Sequence, residues 1–395
     1  MNRTVPAISD MSRAGSAGKR PRIAYLVTED WYFVSHRLPL AVAAKAAGFD
    51  VSIFTRVTKH AELIADSGLT LCPIEFNRSG LNPVEETRTL AAIVAAYRRI
   101  RPDIVHHVAL KPVLYGSLAA RVSGAKGVVN ALGGLGHVFS GDGRKARLLR
   151  PVATAGLRLA MSARNSRLIV QNADDRRRLL EAGIADDTVR LIRGAGVDPA
   201  LYGPADPLLQ PPLVLLPARL LREKGVVEFV DAARMLKARG VEARFVLVGA
   251  PDPKNPASIP AETVDGWVRE GVVECWGWRE DMPQVIGQAQ IVCLPSYHEG
   301  LPKSLLEAAA AGCAIAASDI PGCRELIGHE VNGLLFRPRD TQATADALER
   351  LIRNPALRQT LGSVARATIV ENFSMERVIR ETLSVYDELL AAAGR

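Results

Sequence analysis

No run of about 18 apolar residues occurs anywhere in the 395-residue chain, so no segment reads as a membrane-spanning helix. The opening stretch, 1–20, is rich in Ser, Gly and Arg and has no apolar signal-peptide core. It reads as a flexible tail. Cysteine is sparse: Cys72, Cys275, Cys293, Cys313 and Cys323 are scattered and odd in number, and no two form a CxxC pair. That argues against a zinc or dithiol centre and suits a reducing, cytoplasmic setting. Glycine is missing from the first strand-to-helix connection, Thr28-Glu29-Asp30-Trp31-Tyr32-Phe33-Val34-Ser35-His36-Arg37. A dinucleotide site needs a Gly-rich turn there, so NAD binding is excluded. Lysine is scarce beside arginine, 10 against 40, so a compositional bias competes with every functional reading of the basic residues.

What remains is a globular composition, 48% hydrophobic and 23% charged, at a length that suits two domains better than one core. The net charge of +8 is uneven. Residues 1–200 hold 29 Lys+Arg against 17 Asp+Glu, a balance of +12, and the remainder holds 21 against 25, a balance of −4. A basic first half suits an anionic partner such as a phospholipid surface or a diphosphate-bearing lipid.

Along the chain, short apolar strands alternate with helical patterns. A strand over 22–27, a helix over 35–47 with Ser35 as its N-cap, and a strand over 51–54 make a βαβ unit. His36 and Arg37 then fall in the helix's first turn. His106 and His107 share a strand, where alternation puts one inside and one outside. Without carboxylate or cysteine neighbours they suggest no metal. A glycine-rich loop, Leu132-Gly133-Gly134-Leu135-Gly136-His137, follows the next strand and lets backbone approach a ligand closely. Basic residues alternate with an apolar stripe over 144–164, a pattern that fits either an anionic bilayer or a core-packing helix with a basic outer face. The Pro-rich stretch 204–212 reads as the linker between domains 21–203 and 213–372, with a final helical segment over 373–395.

Two positions in the second half suggest phosphate chemistry. Arg219 and Lys224 flank a helix start after the strand 213–216. In Ser296-Tyr297-His298-Glu299-Gly300-Leu301-Pro302-Lys303-Ser304-Leu305-Leu306-Glu307, a buried strand turns into an Ala-rich helix, with Pro302 as its first residue. Gly300, Leu301, Lys303 and Ser304, with Pro302 opening the helix without an N–H of its own, would present backbone N–H groups and the positive end of the helix dipole to an anion. Glu299 and Glu307 stand beside that anion site, as hydroxyl-binding carboxylates would.

The Glu299-x7-Glu307 spacing resembles the signature of the retaining glycosyltransferases of family 4, and Ser318-Asp319-Ile320-Pro321-Gly322-Cys323-Arg324-Glu325 and Asn332-Gly333-Leu334-Leu335 extend the likeness. Arg219 and Lys224-Gly225 resemble the family's Arg-x4-Lys-Gly phosphate pair, and Ala195-Gly196-Val197-Asp198 its turn before the interdomain linker. Lys111-Pro112, Tyr115-Gly116 and Asn130 to Gly136 resemble a bacterial subgroup that builds capsule, O-antigen and lipid-linked oligosaccharides, including enzymes that add an N-acetylhexosamine to an undecaprenyl-diphosphate sugar. The chain departs from the family after its first strand, where many members carry Gly-Gly.

The resemblance implies an α/β architecture of GT-B type: two Rossmann-like domains facing a deep cleft, acceptor on the first, nucleotide sugar on the second, and the last helix packing back on the first. It implies a hexosyltransferase moving an N-acetylhexosamine or related hexose from a UDP-sugar to a lipid-linked saccharide, at the inner face of the cytoplasmic membrane and with no metal or other cofactor. Arg219, Lys224 and the helix start would hold the diphosphate, Glu307 the ribose, Glu299 the donor sugar, and Gly249, Trp278 and Arg279 the base. Ser35, His36, Lys111, Gly134 and His137 are candidates to meet the acceptor or, for His36, Lys111 and His137, to move a proton. A GT-B sugar-nucleotide epimerase and a non-catalytic sugar-nucleotide-binding protein stay open as alternatives.

Overall fold

The computed structural model describes residues 20–76, 82–134, 144–163, 165–203, 210–252 and 255–394. The chain divides into two compact units, Met1–Ala195 with Met375–Arg395 and Gly196–Ser374. The division falls ahead of the 204–212 stretch read as a linker. The reason is local: Val197 bridges to Ser374, and Val197 and Tyr202 are buried in the core of the second unit.

The first unit holds a parallel sheet of seven strands: β1 (Arg22–Glu29), β2 (Asp50–Arg56), β3 (Thr70–Pro73), β4 (Ile104–Val108), β5 (Gly127–Ala131), β6 (Ser166–Val170) and β7 (Val189–Leu191). Their order is β3-β2-β1-β4-β5-β6-β7. Parallel sheets carry crossover helices on both faces, so their strands are buried on both sides. All five residues of β4 are buried, which corrects the expectation for its histidines. His106 Nδ1 lies 2.6 Å from the Tyr386 hydroxyl, and its ring stacks on Tyr25. His107, on the other face, pairs with Asn130 Oδ1 at 2.8 Å and Tyr97 at 3.2 Å. A Cβ on Gly116 would come within 2.4 Å of the His107 ring, so this glycine serves packing.

The expected helix over 35–47 is two helices, Asp30–His36 and Leu38–Ala46, broken at Arg37. Pro39 is the cause: it lacks an N–H, would clash with the carbonyl four residues back, and disfavours helical backbone at Leu38. Ser35 therefore lies inside the first helix and is not a cap.

The second unit holds six parallel strands: β8 (Leu213–Pro217), β9 (Arg244–Val248), β10 (Glu274–Cys275), β11 (Ile291–Leu294), β12 (Ala314–Ser318) and β13 (Leu334–Phe336), in the order β10-β9-β8-β11-β12-β13. The helix Lys303–Ala310 buries Ala308, Ala309 and Ala310 completely. A Cβ on Gly362, in the helix Pro355–Asn372, would lie 2.0 Å from the Gly312 carbonyl oxygen. Small side chains thus let this second helix press on the end of the first and fix where it points. No helix among the described residues is long and apolar enough to cross a membrane.

Candidate active site

In the second sheet β8 lies between β9 and β11, so chain segments leaving β8 and β11 diverge at their carboxyl ends and leave a crevice there. Two oppositely charged side chains meet at this point. Lys224 Nζ donates to Glu299 Oε1 at 2.5 Å, with the two side chains only 19% and 13% exposed. Lys224 closes a short turn, Arg222–Lys224, and Gly225 follows at φ +70°. A side chain at Gly225 would meet the Pro295 carbonyl oxygen at 2.1 Å, so glycine lets the two loops touch backbone to backbone. The Tyr297 amide donates to the Glu223 carbonyl across the same seam at 2.9 Å. Gly322 supports Glu299 from behind, where a Cβ would lie 2.4 Å from the Glu299 carbonyl oxygen. The neighbouring Cys323 thiol is pushed well up by burial and by the charge of Glu299, which keeps it neutral and unreactive.

The adjoining helix begins at Lys303, one place later than expected, and Pro302 is its N-cap with extended backbone. The Pro302 carbonyl already accepts from the amides of Leu305 and Leu306, at 3.1 and 3.3 Å, which is the bonding of a cap. First-turn amides have no partner within a helix, and they lie at its positive end. Gly300, Leu301 and Pro302 lead into this end, and Lys303 and Ser304 open it. Glu307 is 6% exposed, accepts from the Tyr202 hydroxyl at 2.9 Å, and pairs with Lys303 Nζ at 3.3 Å. Arg366 holds the Tyr202 turn through the carbonyls of Tyr202 and Pro199, at 3.0 and 3.3 Å.

Arg219 pairs with Asp252 at 3.1 Å. Its turn is fixed by Gly249 (φ +150°), where a Cβ would lie 1.9 Å from the Ala218 carbonyl oxygen. The Gly249 amide in turn donates to the Gly277 carbonyl at 2.9 Å. Gly249 thus ties the segment after β9 to the turn after β8 on one side and to Trp276-Gly277-Trp278 on the other. Trp278 is 51% exposed, a large apolar face left open, and Arg279 is exposed and paired with Asp281 at 2.7 Å. Sequence reasoning missed Tyr202, Asp252 and the Tyr297 cluster, in which the hydroxyl donates to Glu228 at 2.5 Å and the Arg339 guanidinium lies 4.6 Å over the ring. Only their places beside recognised turns hinted at them.

The first unit reverses its strand order between β1 and β4. After β1, Asp30 is fully buried. Its carboxylate accepts from the amides of Thr58, Lys59 and His60, at 2.7, 2.9 and 2.9 Å, and from the Thr58 hydroxyl at 2.5 Å. Burial opposes its ionisation, but the Thr58, His60 and Lys59 bonds outweigh that and hold the carboxyl below the usual range. Beside it His36 stacks on Tyr32 with centroids 4.1 Å apart and planes 6° from parallel. A Cβ on Gly133 would lie 3.0 Å from the Tyr32 hydroxyl, and Gly134 has φ +136°. Tyr32, His36, Gly133 and Gly134 are therefore brought together. Lys111 Nζ pairs with Glu86 at 2.6 Å, and Tyr115 donates to the same carboxylate at 2.5 Å. Ser35 lies half-buried in the helix that carries His36. His137 lies outside the described residues, as do the side chains of Arg144, Lys145 and Arg147; the helix Arg144–Met161 itself is present, with Leu157 buried and Val152 and Leu159 exposed.

Residues 22–172 match the family model described as glycosyl transferase 4-like, and residues 211–354 match that of glycosyl transferases group 1. The chain is 27% identical over 384 residues to the N,N'-diacetylbacillosaminyl-diphospho-undecaprenol alpha-1,3-N-acetylgalactosaminyltransferase of Campylobacter jejuni, a match covering 93% of this chain and 99% of that protein. It is 24% identical over 320 residues to the UDP-Gal:alpha-D-GlcNAc-diphosphoundecaprenol alpha-1,3-galactosyltransferase of Escherichia coli, covering 78% and 81%. The sucrose-phosphate synthase of Thermosynechococcus elongatus, a solved structure, superposes with a TM-score of 0.78 at 21% identity, covering 94% of this chain and 100% of that one, a likeness of fold. The chain belongs to the glycosyltransferases of group 1 with a 4-like first half, and its fold is GT-B.

Proposed function

We propose that this glycosyltransferase moves an N-acetylhexosamine or related hexose from a UDP-sugar to a lipid-linked saccharide, with retention of anomeric configuration. The observation that carries the reading is the mostly buried Lys224–Glu299 pair beside the positive end of the Lys303–Ala310 helix. The carbohydrate-diphosphate acceptors in the names of the Campylobacter and Escherichia relatives, and the basic balance of the first 200 residues, support the acceptor class. The protein would then work as a peripheral protein on the inner, anionic face of the cytoplasmic membrane.

In the mechanism, donor binding separates the resting ion pair. Lys224 turns to the diphosphate, and Glu299 turns to hydroxyls of the donor sugar. Arg219 supplies a second cation, and the amides of Leu301, Lys303 and Ser304 stabilise the negative charge that develops as the glycosidic oxygen departs. These groups provide the electrostatic stabilisation a metal would otherwise give, so no metal or other cofactor is needed. Glu307, oriented by Tyr202, accepts from the ribose hydroxyls. The base rests on Gly249 and Trp278, with Arg279 at its edge. His36 and Gly134 meet the acceptor, while Ser35 and Lys111 serve the scaffold that holds them.

The test is nucleotide release from a panel of UDP-sugars and GDP-mannose, with and without a lipid-linked acceptor extract. Acceptor-dependent release from one donor, with the product anomer matching the donor's by NMR, is the expected result. Release indifferent to acceptor would mark an epimerase, and binding without release a sugar-nucleotide-binding protein.

A further inference from the structure

The first sheet has a second charged end. At its amino-terminal edge, opposite Tyr32 and His36, residues that precede β1, β4 and β5 meet the carboxyl ends of two helices around a cleft of about 630 Å³. Its charged lining is Arg20, Arg22, Arg98, Arg101 and Lys126 against Asp103. β1 runs the full depth of the sheet, so the cleft stands roughly 25 Å from the strand ends that carry His36.

Asp103 is already engaged. Its Oδ2 accepts from the Arg22 amide at 2.8 Å, and its Oδ1 pairs with Lys126 Nζ at 2.9 Å. Among the described residues, the guanidinium groups of Arg20, Arg22, Arg98 and Arg101 have no hydrogen-bond or ion-pair partner, and Arg22 Nε is buried without one. Two helix ends, capped by Arg101 and Gly124, line the cleft and bring about half a negative charge each. Five cations less one carboxylate and about one unit from the helix ends still leave a surplus of about three. Several other arginines are partnered, Arg167 and Arg190 on Glu388, Arg234 on Glu270 and Arg244 on Glu274, whereas these four share one cleft whose carboxylate is already engaged.

We propose that this cleft is a binding site for a phosphate-bearing anion, separate from the donor site of the second unit. Planar guanidinium forks match phosphate oxygens two at a time, and a concave group of them selects phosphate over a lone carboxylate. The phosphate belongs to a lipid headgroup or to a soluble phosphate compound.

The test starts from the full chain carrying Arg219→Ala and Lys224→Ala, which removes the second-unit cations. Inorganic pyrophosphate is titrated into it by calorimetry at low salt, then into the same protein with Arg98→Glu and Arg101→Glu added. Binding should persist in the first protein, weaken with added salt, and fall at least tenfold in the second. Sedimentation with phosphatidylglycerol and with phosphatidylcholine vesicles separates the sources. Loss of anionic-vesicle binding in the Arg98/Arg101 variant assigns a lipid headgroup, and loss of pyrophosphate binding alone assigns a soluble phosphate. Both side chains are exposed, and the milder Arg98→Gln/Arg101→Gln variant, made in the otherwise unchanged chain, should keep its circular dichroism and its acceptor-dependent turnover. Pyrophosphate and anionic-vesicle binding that are both absent, or both unmoved by the charge reversal, would overturn the proposal.

Discussion

Replacing Lys224 with methionine removes a cation and keeps most of its stem, which separates what the charge does at rest from what it does in turnover. At rest the change strands Glu299, 13% exposed, without its partner at 2.5 Å. Stranding a fully buried charge costs about 3–5 kcal/mol and breaking a surface pair about 0–1 kcal/mol, so about 2 kcal/mol is expected for this pair. Glu299→Gln strands Lys224 and costs a similar amount. The double variant leaves no charge unpaired and should recover about 1–2 kcal/mol of coupling, read from urea unfolding of the second unit. Turnover should behave differently. If Lys224 stabilises the departing diphosphate, Lys224→Met lowers kcat by about 10²–10³-fold, the cost of removing one preorganised donor to developing charge. Glu299→Gln cannot restore it. The assay is acceptor-dependent nucleotide release at saturating donor. A double variant that regains turnover along with stability would reduce the pair to a structural tie, and so would a Lys224→Met enzyme within threefold of the parent.

Three further outcomes follow from single contacts. Tyr202→Phe deletes the hydroxyl that donates to Glu307 at 2.9 Å, and it should raise donor KM about fivefold to tenfold with kcat within about twofold; an unchanged KM would take Tyr202 out of the site. Gly249→Ala adds a Cβ 1.9 Å from the Ala218 carbonyl oxygen at φ +150°, so thermal unfolding should show a loss of about 3 kcal/mol or more, and a variant melting with the parent would mean that the turn yields freely. Burial lowers the His107 pKa from 6.5 to about 4, with the Asn130 bond acting in the opposite direction. The folded state therefore holds this histidine neutral while the unfolded chain takes up a proton between those values. Stability is full above pH 6.5 and falls towards pH 4 by about 3 kcal/mol, with His106 adding in the same direction. The urea midpoint of the first unit at pH 7 and pH 4.5 reads this, and a midpoint flat across that interval would contradict it.

The parallel sheets were legible because burial on both faces writes each strand as a short apolar run, and glycine or proline marks most of the ends. The helix Thr341–Arg353 is likewise legible, because Asp340 caps it and an apolar stripe runs along it. The break at Arg37 was readable in principle from Pro39 but was overridden by a continuous apolar pattern. The two histidines of β4 were misread because alternation was taken to mean one wet face, which holds for a half-exposed sheet and not for this one. At the site, residues in a recognisable turn were found and their partners were not. Tyr202 reaches Glu307 across 105 residues and Asp252 reaches Arg219 across 33. Nothing local in the sequence pairs them, because each contact exists only once the intervening strands have joined the sheet.

The connections at the carboxyl ends of the two sheets handle their polar groups differently. In the second unit the crevice after β8 and β11 keeps its charges poised. Lys224 and Glu299 satisfy each other through a single contact that a ligand can replace, and small residues at Gly225 and Gly322 bring backbone close without filling the space. In the first unit the connection after β1 is tied by the protein's own carboxylate to the loop after β2. Asp30 takes three amides and a hydroxyl of residues 58–60, doing for that loop what a bound phosphate does for a Gly-rich turn. The first unit offers rings and glycines beside β1, Tyr32, His36 and Gly134, suited to sugar faces. The unit whose switch point is held by one exchangeable ion pair is the one suited to a diphosphate.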